Sequence, residues 1–190
     1  MELLKKRILE EGEVIEPNIL KVDRFLNHQI DVALYVEIGK ELANRFKDKK
    51  IDKILTVEAS GIALACFCSN ALNQQPVVYA KKDDSKIISE NTYSHPVHSF
   101  TKNKTSNIRV DKKFFSEDEN ILIIDDFLAN GQASLGLASI VNQAKANVVG
   151  IGIVVEKGFQ QGRSLLEKEG YKVESLAIID HFENGKVIFR

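Results

Sequence analysis

The sequence predicts an α/β fold, in which a central, mostly parallel sheet carries helices on both faces. Runs of Val, Ile and Leu within 51–57, 121–124, 148–155 and 173–180 are too uniformly apolar for strands with one wet face, and fit strands buried on both sides. These runs alternate with segments whose apolar residues recur at helical spacing. A length of 190 residues suits a single domain spanning 1–190, long enough to bury a core without disulfides or structural metal.

Taken in order, the chain opens on Met1-Glu2-Leu3-Leu4-Lys5-Lys6-Arg7, an amphipathic helix start with no signal-peptide core. Residues 31–47 form the next expected helix, with Asp31 as its cap and Tyr35, Ile38, Leu42 and Phe46 on one face. A strand over 51–57 leads through Glu58-Ala59-Ser60-Gly61 into a helix over 62–72. Pro76 precedes a strand at 77–80. The strand 121–124 is followed by two aspartates, a Gly-containing turn and a helix at 133–144. A strand at 148–155, a helix at 161–168 ending by Gly170 and a strand at 173–180 follow. Asn184-Gly185 turns a hairpin into a last strand at 186–189.

The stretch 81–107 lacks a sustained apolar period and is rich in Ser, Thr, Asn and Lys, so it reads as an irregular segment of the kind that serves as a lid. Between Lys81 and Lys113, eight basic residues face four acidic ones, which makes that region +4 and the remainder −5. The net charge of −1 argues against a general nucleic-acid binder. Apolar runs such as 62–67 and 151–155 are far shorter than the ~20 residues that cross a bilayer. Cys66 and Cys68 have no further cysteine to complete a zinc site, and their spacing on a helix points them apart, so two reduced, mostly buried thiols in a cytoplasmic protein are expected.

The chemistry concentrates in Ile121-Leu122-Ile123-Ile124-Asp125-Asp126-Phe127-Leu128-Ala129-Asn130-Gly131-Gln132. A buried strand ends on two carboxylates at the sheet edge where ligands bind in parallel α/β folds. The turn opens a helix whose first N–H groups lack internal partners, an anion site. Carboxylates for hydroxyls or a metal beside a phosphate pocket suit a phosphorylated sugar. Apolar residues followed by Asp-Asp also mark the magnesium strand of P-loop NTPases, but neither Gly39-Lys40 nor Gly185-Lys186 completes the lysine loop. A phospho-receiver domain would need more chain after Asp126 than the 64 residues present. The plainest alternative is a strand end with two solvated aspartates, which the phosphate-type turn disfavours.

With these residues the sequence resembles the type I phosphoribosyltransferases, whose signature is a strand, Asp-Asp, a short loop and a helix. The likeness is strongest to the xanthine-using branch and runs over nearly the whole chain. It includes Leu20-Lys21-Val22-Asp23-Arg24-Phe25-Leu26-Asn27-His28-Gln29-Ile30-Asp31 and Gly150-Ile151-Gly152-Ile153-Val154-Val155-Glu156-Lys157. The loop reads Asn130-Gly131-Gln132-Ala133 where the broad family more often has Thr-Gly-Gly-Thr.

The resemblance implies the type I phosphoribosyltransferase fold, with a hood from about 1–30 plus the C-terminal segment and a flexible flap over about 81–107. It also implies transfer of ribose-5-phosphate from 5-phosphoribosyl diphosphate to N9 of xanthine, giving xanthosine monophosphate and diphosphate, with Mg2+ accompanying the donor. By the same resemblance Leu128, Ala129, Asn130, Gly131 and Gln132 hold the ribose-5-phosphate, and Asp125 and Asp126 face the ribose hydroxyls directly or through Mg2+. Ser60 and Gly61, aided by Lys81, hold the diphosphate. Leu20, Asn27, Glu156 and Lys157 line the xanthine site, the lysine donating to the 6-oxo group and the carboxylate accepting from a ring N–H. Ala129 stands where some relatives place an aspartate base. Members of this branch are homodimers. A rival within the same fold is a non-catalytic regulator that senses the sugar diphosphate, but only about 50 residues precede the first strand, with no basic excess to suggest a DNA-binding domain.

Overall fold

A computed structural model describes every residue except 16, 83–90 and 100–103. The elements are α1 (Glu2–Glu11), β1 (Glu13–Ile15), β2 (Ile19–Lys21), a π-helical turn (Asp23–Asn27), α2 (Val32–Arg45), β3 (Lys53–Val57), α3 (Ser60–Ala71) and β4 (Val77–Lys82). They continue with β5 (Thr92–Ser99), β6 (Lys104–Asp111), β7 (Asn120–Leu128), α4 (Gln132–Gln143), β8 (Asn147–Lys157), α5 (Gly162–Lys168), β9 (Val173–Glu183) and β10 (Lys186–Phe189).

Eight strands form one sheet in the order β10-β9-β8-β7-β3-β4-β6-β5. The five central strands from β9 to β4 pair in parallel, and antiparallel strands close both edges. The uniform apolar runs follow from this arrangement. Ile54, Leu122, Ile124 and Val154 meet Leu42 of α2, Phe46 at its C-terminal end, and Leu64 and Cys68 of α3 in one core cluster. Leu55, Ile121, Ile123 and Ile151 belong to a second cluster with Leu137, Ile140 and Val141 of α4 and Leu166 of α5. Asp31 caps α2 by accepting from the Leu34 N–H.

α1 docks by Leu4 and Ile8, and the amine of Met1 donates to the Leu176 carbonyl at 2.5 Å. Lys5 Nζ reaches the carbonyl of Arg190 at 3.1 Å. The two chain ends therefore lie together at one side of the sheet. The small β1–β2 hairpin and the π-helical turn complete this N-terminal part, and neither was legible in the sequence.

Three expectations need correction. The stretch 81–107 is not irregular where it is described: β5 and β6 make a long hairpin that extends the sheet beyond β4. Its apolar signal is sparse because, among the described residues of this hairpin, only the alternating Ile108 and Val110 on β6 are buried, and both lie just beyond residue 107. The portion at 83–90 and 100–103 lies outside the described residues. Next, β7 does not stop before the aspartates but runs through them to Leu128. Finally, Cys68 is buried and its thiol is pushed up to about 12 by that burial, whereas Cys66 is exposed.

Helix α2 lies so close to α3 that a Cβ at Gly39 would stand 2.5 Å from the Phe67 carbonyl oxygen. A backbone neighbour cannot swing away, so Gly39→Ala should cost about 1–3 kcal/mol. At ~3 °C per kcal/mol for a domain of this size, thermal unfolding should show Tm lower by about 3–9 °C.

Candidate active site

The C-terminal edge of β3 and β7 is where chemistry-bearing residues gather. α3 begins at Ser60 directly after β3 and α4 at Gln132 directly after the β7 turn, and neither start has a side-chain cap. The first N–H groups of both helices therefore point outward without intrahelical acceptors. Each is a partial positive charge, and the two sit on one sheet edge.

Between them stand the aspartates. Asp125 is 5% exposed. A Cβ placed on Gly61 would lie 2.0 Å from Thr56 Oγ1, so any larger residue would have to push that side chain away, while Asp125 Oδ1 at 3.7 Å would be in ordinary contact. Asp125 Oδ1 accepts from the Asp126 N–H at 3.0 Å, and Asp126 Oδ1 from the Phe127 N–H at 2.9 Å. Burial first, and the neighbouring Asp126 charge second, raise the Asp125 carboxyl well above its ordinary value. Asp126 is only half-buried and presents the accessible oxygens. The Thr56 hydroxyl is fully buried and has no hydrogen-bond partner among the described residues.

The turn after β7 owes its shape to two glycines. Gly131 has φ +78°, a left-handed conformation that side chains resist. Gly162, the first residue of α5, donates its N–H to the Ala129 carbonyl at 3.0 Å. A Cβ on Gly162 would sit 2.3 Å from that same oxygen, and one on Gly131 would sit 3.1 Å from the Gly162 Cα. Asn130 and Gln132 are half-buried along this turn. Leu128 is 1% exposed and packs under the start of α5, so its contribution is to the core.

On the opposite side of the edge, Lys81 is exposed and lies opposite Arg109 in the β4–β6 pair. The charge that reaches Asp125 is that of Lys82, whose backbone N–H donates to Glu58 Oε1 at 2.5 Å. Lys82, one position along the strand from Lys81, is thus a further cation on this side of the edge, one that the sequence reading did not single out.

The four residues assigned to the base divide. Lys157 Nζ donates to the Asn18 carbonyl at 2.6 Å, tying the end of β8 to the β1–β2 connection, and burial lowers its pKa. Asn27 is exposed at the end of the π-helical turn. Leu20 is 6% exposed and belongs to the core. Glu156 departs from its expected part: Arg163 Nε and Nη2 grip its two oxygens at 2.8 and 2.6 Å, and the Ser175 hydroxyl adds a donor at 2.5 Å. Both oxygens of the carboxylate expected to accept from a ring N–H are thus already engaged within the chain. Tyr35, expected only as core, carries a polar link, for its hydroxyl donates to the Leu26 carbonyl in the π-helical turn. Burial, and then the charge of Asp126, push the Tyr35 phenol up to about 12.

Comparison with known proteins places this geometry. A family model described as the phosphoribosyl transferase domain matches residues 23–187. The chain is 57% identical over its full 190 residues to the xanthine phosphoribosyltransferase of Clostridium novyi, covering all of that protein. It is 53% identical, with the same coverage, to the xanthine phosphoribosyltransferase of Clostridioides difficile. Among solved structures, the adenine phosphoribosyltransferase of Giardia lamblia in complex with 9-deazaadenine has a TM-score of 0.78 at 18% identity, over 94% of this chain and 98% of that one. The enzyme from Saccharomyces cerevisiae has a TM-score of 0.71 at 22% identity, over 93% and 99%.

The raised Asp125 carboxyl has a consequence for stability. Between the ordinary aspartate value and the raised one, the folded chain keeps a proton that the unfolded chain has lost, so stability falls as pH rises through that window. Asp125→Asn removes the penalty. Its Tm should equal or exceed that of the unsubstituted chain at pH 7–8, and the difference should shrink as pH falls toward 4, as a thermal series across pH will show.

Proposed function

The chain belongs to the phosphoribosyl transferase family, and from that premise we propose that it makes xanthosine monophosphate, transferring ribose-5-phosphate from 5-phosphoribosyl diphosphate to N9 of xanthine with release of diphosphate. The choice of base rests on the full-length relatives named for xanthine. The observation that carries the reaction class is the pair of uncapped helix starts flanking Asp125 and Asp126 on one sheet edge.

The donor has a phosphate at one end of its ribose and a diphosphate at the other, and the edge offers two anion sites. The amides of Ala129, Asn130, Gly131 and Gln132 at the start of α4 take the ribose-5-phosphate. Ser60 and Gly61 at the start of α3 take the diphosphate, with the cations of Lys81 and Lys82 behind them. Asp126, the accessible carboxylate, faces the ribose hydroxyls, with Asp125 buried beneath. The Lys157 ammonium keeps donors free beyond the one given to Asn18, enough to meet the 6-oxo group of the base, while Asn27 borders the pocket from the hood and Leu20 supports it from the core. Loss of diphosphate leaves positive character on the anomeric carbon and charge on the leaving group. Amides aimed at that charge matter in proportion, since one such donor is typically worth ~3 kcal/mol. No carboxylate stands in 128–132 to take the N9 proton, so the purine gives that proton to solvent and attacks the anomeric carbon as its anion while diphosphate leaves.

Mg2+ fits this edge as a companion of the donor. That ion is commonly held by one or two carboxylates together with substrate phosphates, and the described residues contain no cluster of three ligating side chains that would hold it alone. Asp126 and, beneath it, Asp125 would hold it through the substrate, where it neutralises diphosphate charge. We further place the protein in the cytoplasm as a homodimer, and assign to 81–107 the task of shielding the reacting carbon from water. No helix among the described residues is long and apolar enough to cross a membrane.

Mixing the purified chain with xanthine, the sugar diphosphate and Mg2+ should give an absorbance change as xanthosine monophosphate forms, with kcat/KM for xanthine above those for guanine and hypoxanthine. No turnover of any of the three overturns the reading. Asp126→Asn should lower kcat by about 10²–10³-fold at an unchanged Tm. Donor plus Mg2+ should protect 81–107 from limited proteolysis, and equal cleavage with and without them would remove the shielding role.

A further inference from the structure

Most of the polar groups near the site belong to the reading above, but one buried cluster does not. Glu156 is 1% exposed, and a carboxylate so buried is costly unless it is paired. Its partner is Arg163 of α5, which uses Nε and Nη2 on the two carboxylate oxygens and Nη1 on the Val173 carbonyl at 3.1 Å and on Glu167 at 2.9 Å. Ser175 of β9 donates to the same carboxylate.

The position of this pair in the chain gives it further meaning. Arg163 directly follows Gly162, whose N–H holds the Ala129 carbonyl and whose backbone abuts Gly131 in the phosphate turn. Glu156 directly precedes Lys157, whose ammonium holds Asn18 in the N-terminal hood. One planar, two-point contact thus joins the backbone segment that shapes the phosphate turn to the segment that carries the base-facing lysine. A two-point contact fixes orientation as well as distance, which a single hydrogen bond does not.

We propose that Arg163 is a positioning residue that couples the two halves of the site: its forked contact with Glu156 holds the phosphate turn and Lys157 in mutual register, so that filling one subsite prepares the other. It touches neither substrate. The inference rests on the reaction proposed above and deepens it by assigning Glu156 to the coupling and not to the base. Coupling of this kind requires that occupancy of the turn change the affinity for xanthine, and the reverse, by the same factor.

The test uses ribose-5-phosphate, which fills the phosphate turn yet has no leaving group, and xanthine titrated by calorimetry. In the unsubstituted chain, saturating ribose-5-phosphate should tighten xanthine binding by about five- to tenfold, within the usual range of coupling. Arg163→Lys keeps the charge but loses the fork. It should bring that factor close to one and raise KM for both substrates together, with Tm little changed. A loosened phosphate turn alone would raise only the KM of the donor. Should Arg163→Lys not fold, Ser175→Ala, which leaves the ion pair in place and removes one donor from Glu156, should reduce the factor partway. Coupling that persists in both variants, or that is missing from the unsubstituted chain, overturns the inference. Turnover by the unsubstituted chain is the control that separates the two claims: without it the proposed reaction fails, and with it only the coupling is at stake.

Discussion

Two helices begin on one sheet edge with no side chain to cap them, and most of the local architecture serves to keep them so. A parallel sheet sends every strand end to the same side, so the helix that follows each strand starts there as well. Ordinarily a serine, threonine or aspartate would satisfy the leading amides. Here α3 and α4 have none; Gly131 and Gly162 bring backbone close to backbone at the turn before α4, and Gly61 sets the start of α3 against the Thr56 side chain. The resulting positive edge lies beside Asp125, whose own charge is disfavoured by burial. The edge is electrostatically unfinished, and a doubly phosphorylated sugar is the kind of molecule that completes it.

The parts of this arrangement that depend on periodicity were legible in advance. The strands around Ile54, Ile123 and Ile153 were plain because burial on both faces leaves no polar interruption, and α2 declared itself through Asp31 and the spacing of Tyr35, Ile38 and Leu42. Asp125 and Asp126 could be singled out as a candidate site because two adjacent carboxylates after a buried strand, followed by a glycine turn, suit a phosphorylated sugar better than a plain strand end. The β5–β6 hairpin was not legible. A sheet-edge hairpin buries one residue in two, and Ile108 and Val110 stand among lysines, serines and threonines that suit the wet face.

The remaining differences arise where a single position decides which way a side chain faces. Lys81 and Lys82 are equivalent as letters, yet consecutive residues of a strand lie on opposite faces, and a small attraction to Asp125 comes from Lys82. Glu156 and Lys157 pose the same difficulty. A buried charge at a strand end signals that a partner exists, but the partner can be a ligand or another side chain. Arg163 lies only seven residues on, and seven residues on in α5 is where the fork closes on the carboxylate. The signal was present in the sequence as Gly162-Arg163 at the start of a short helix, with no rule of spacing to connect it to Glu156.

The two cysteines of α3 also differ in a way that matters in practice. Cys68 lies in the core with its thiol held protonated, whereas Cys66 faces solvent less than two turns from the Ser60 and Gly61 amides. Thiolate is the reactive form, so an electrophilic dye should discriminate between them and label the outward sulfur. The helix proposed to receive the diphosphate thereby carries a built-in attachment point for a fluorophore, a means of testing whether its first turn fills and empties without engineering any other residue.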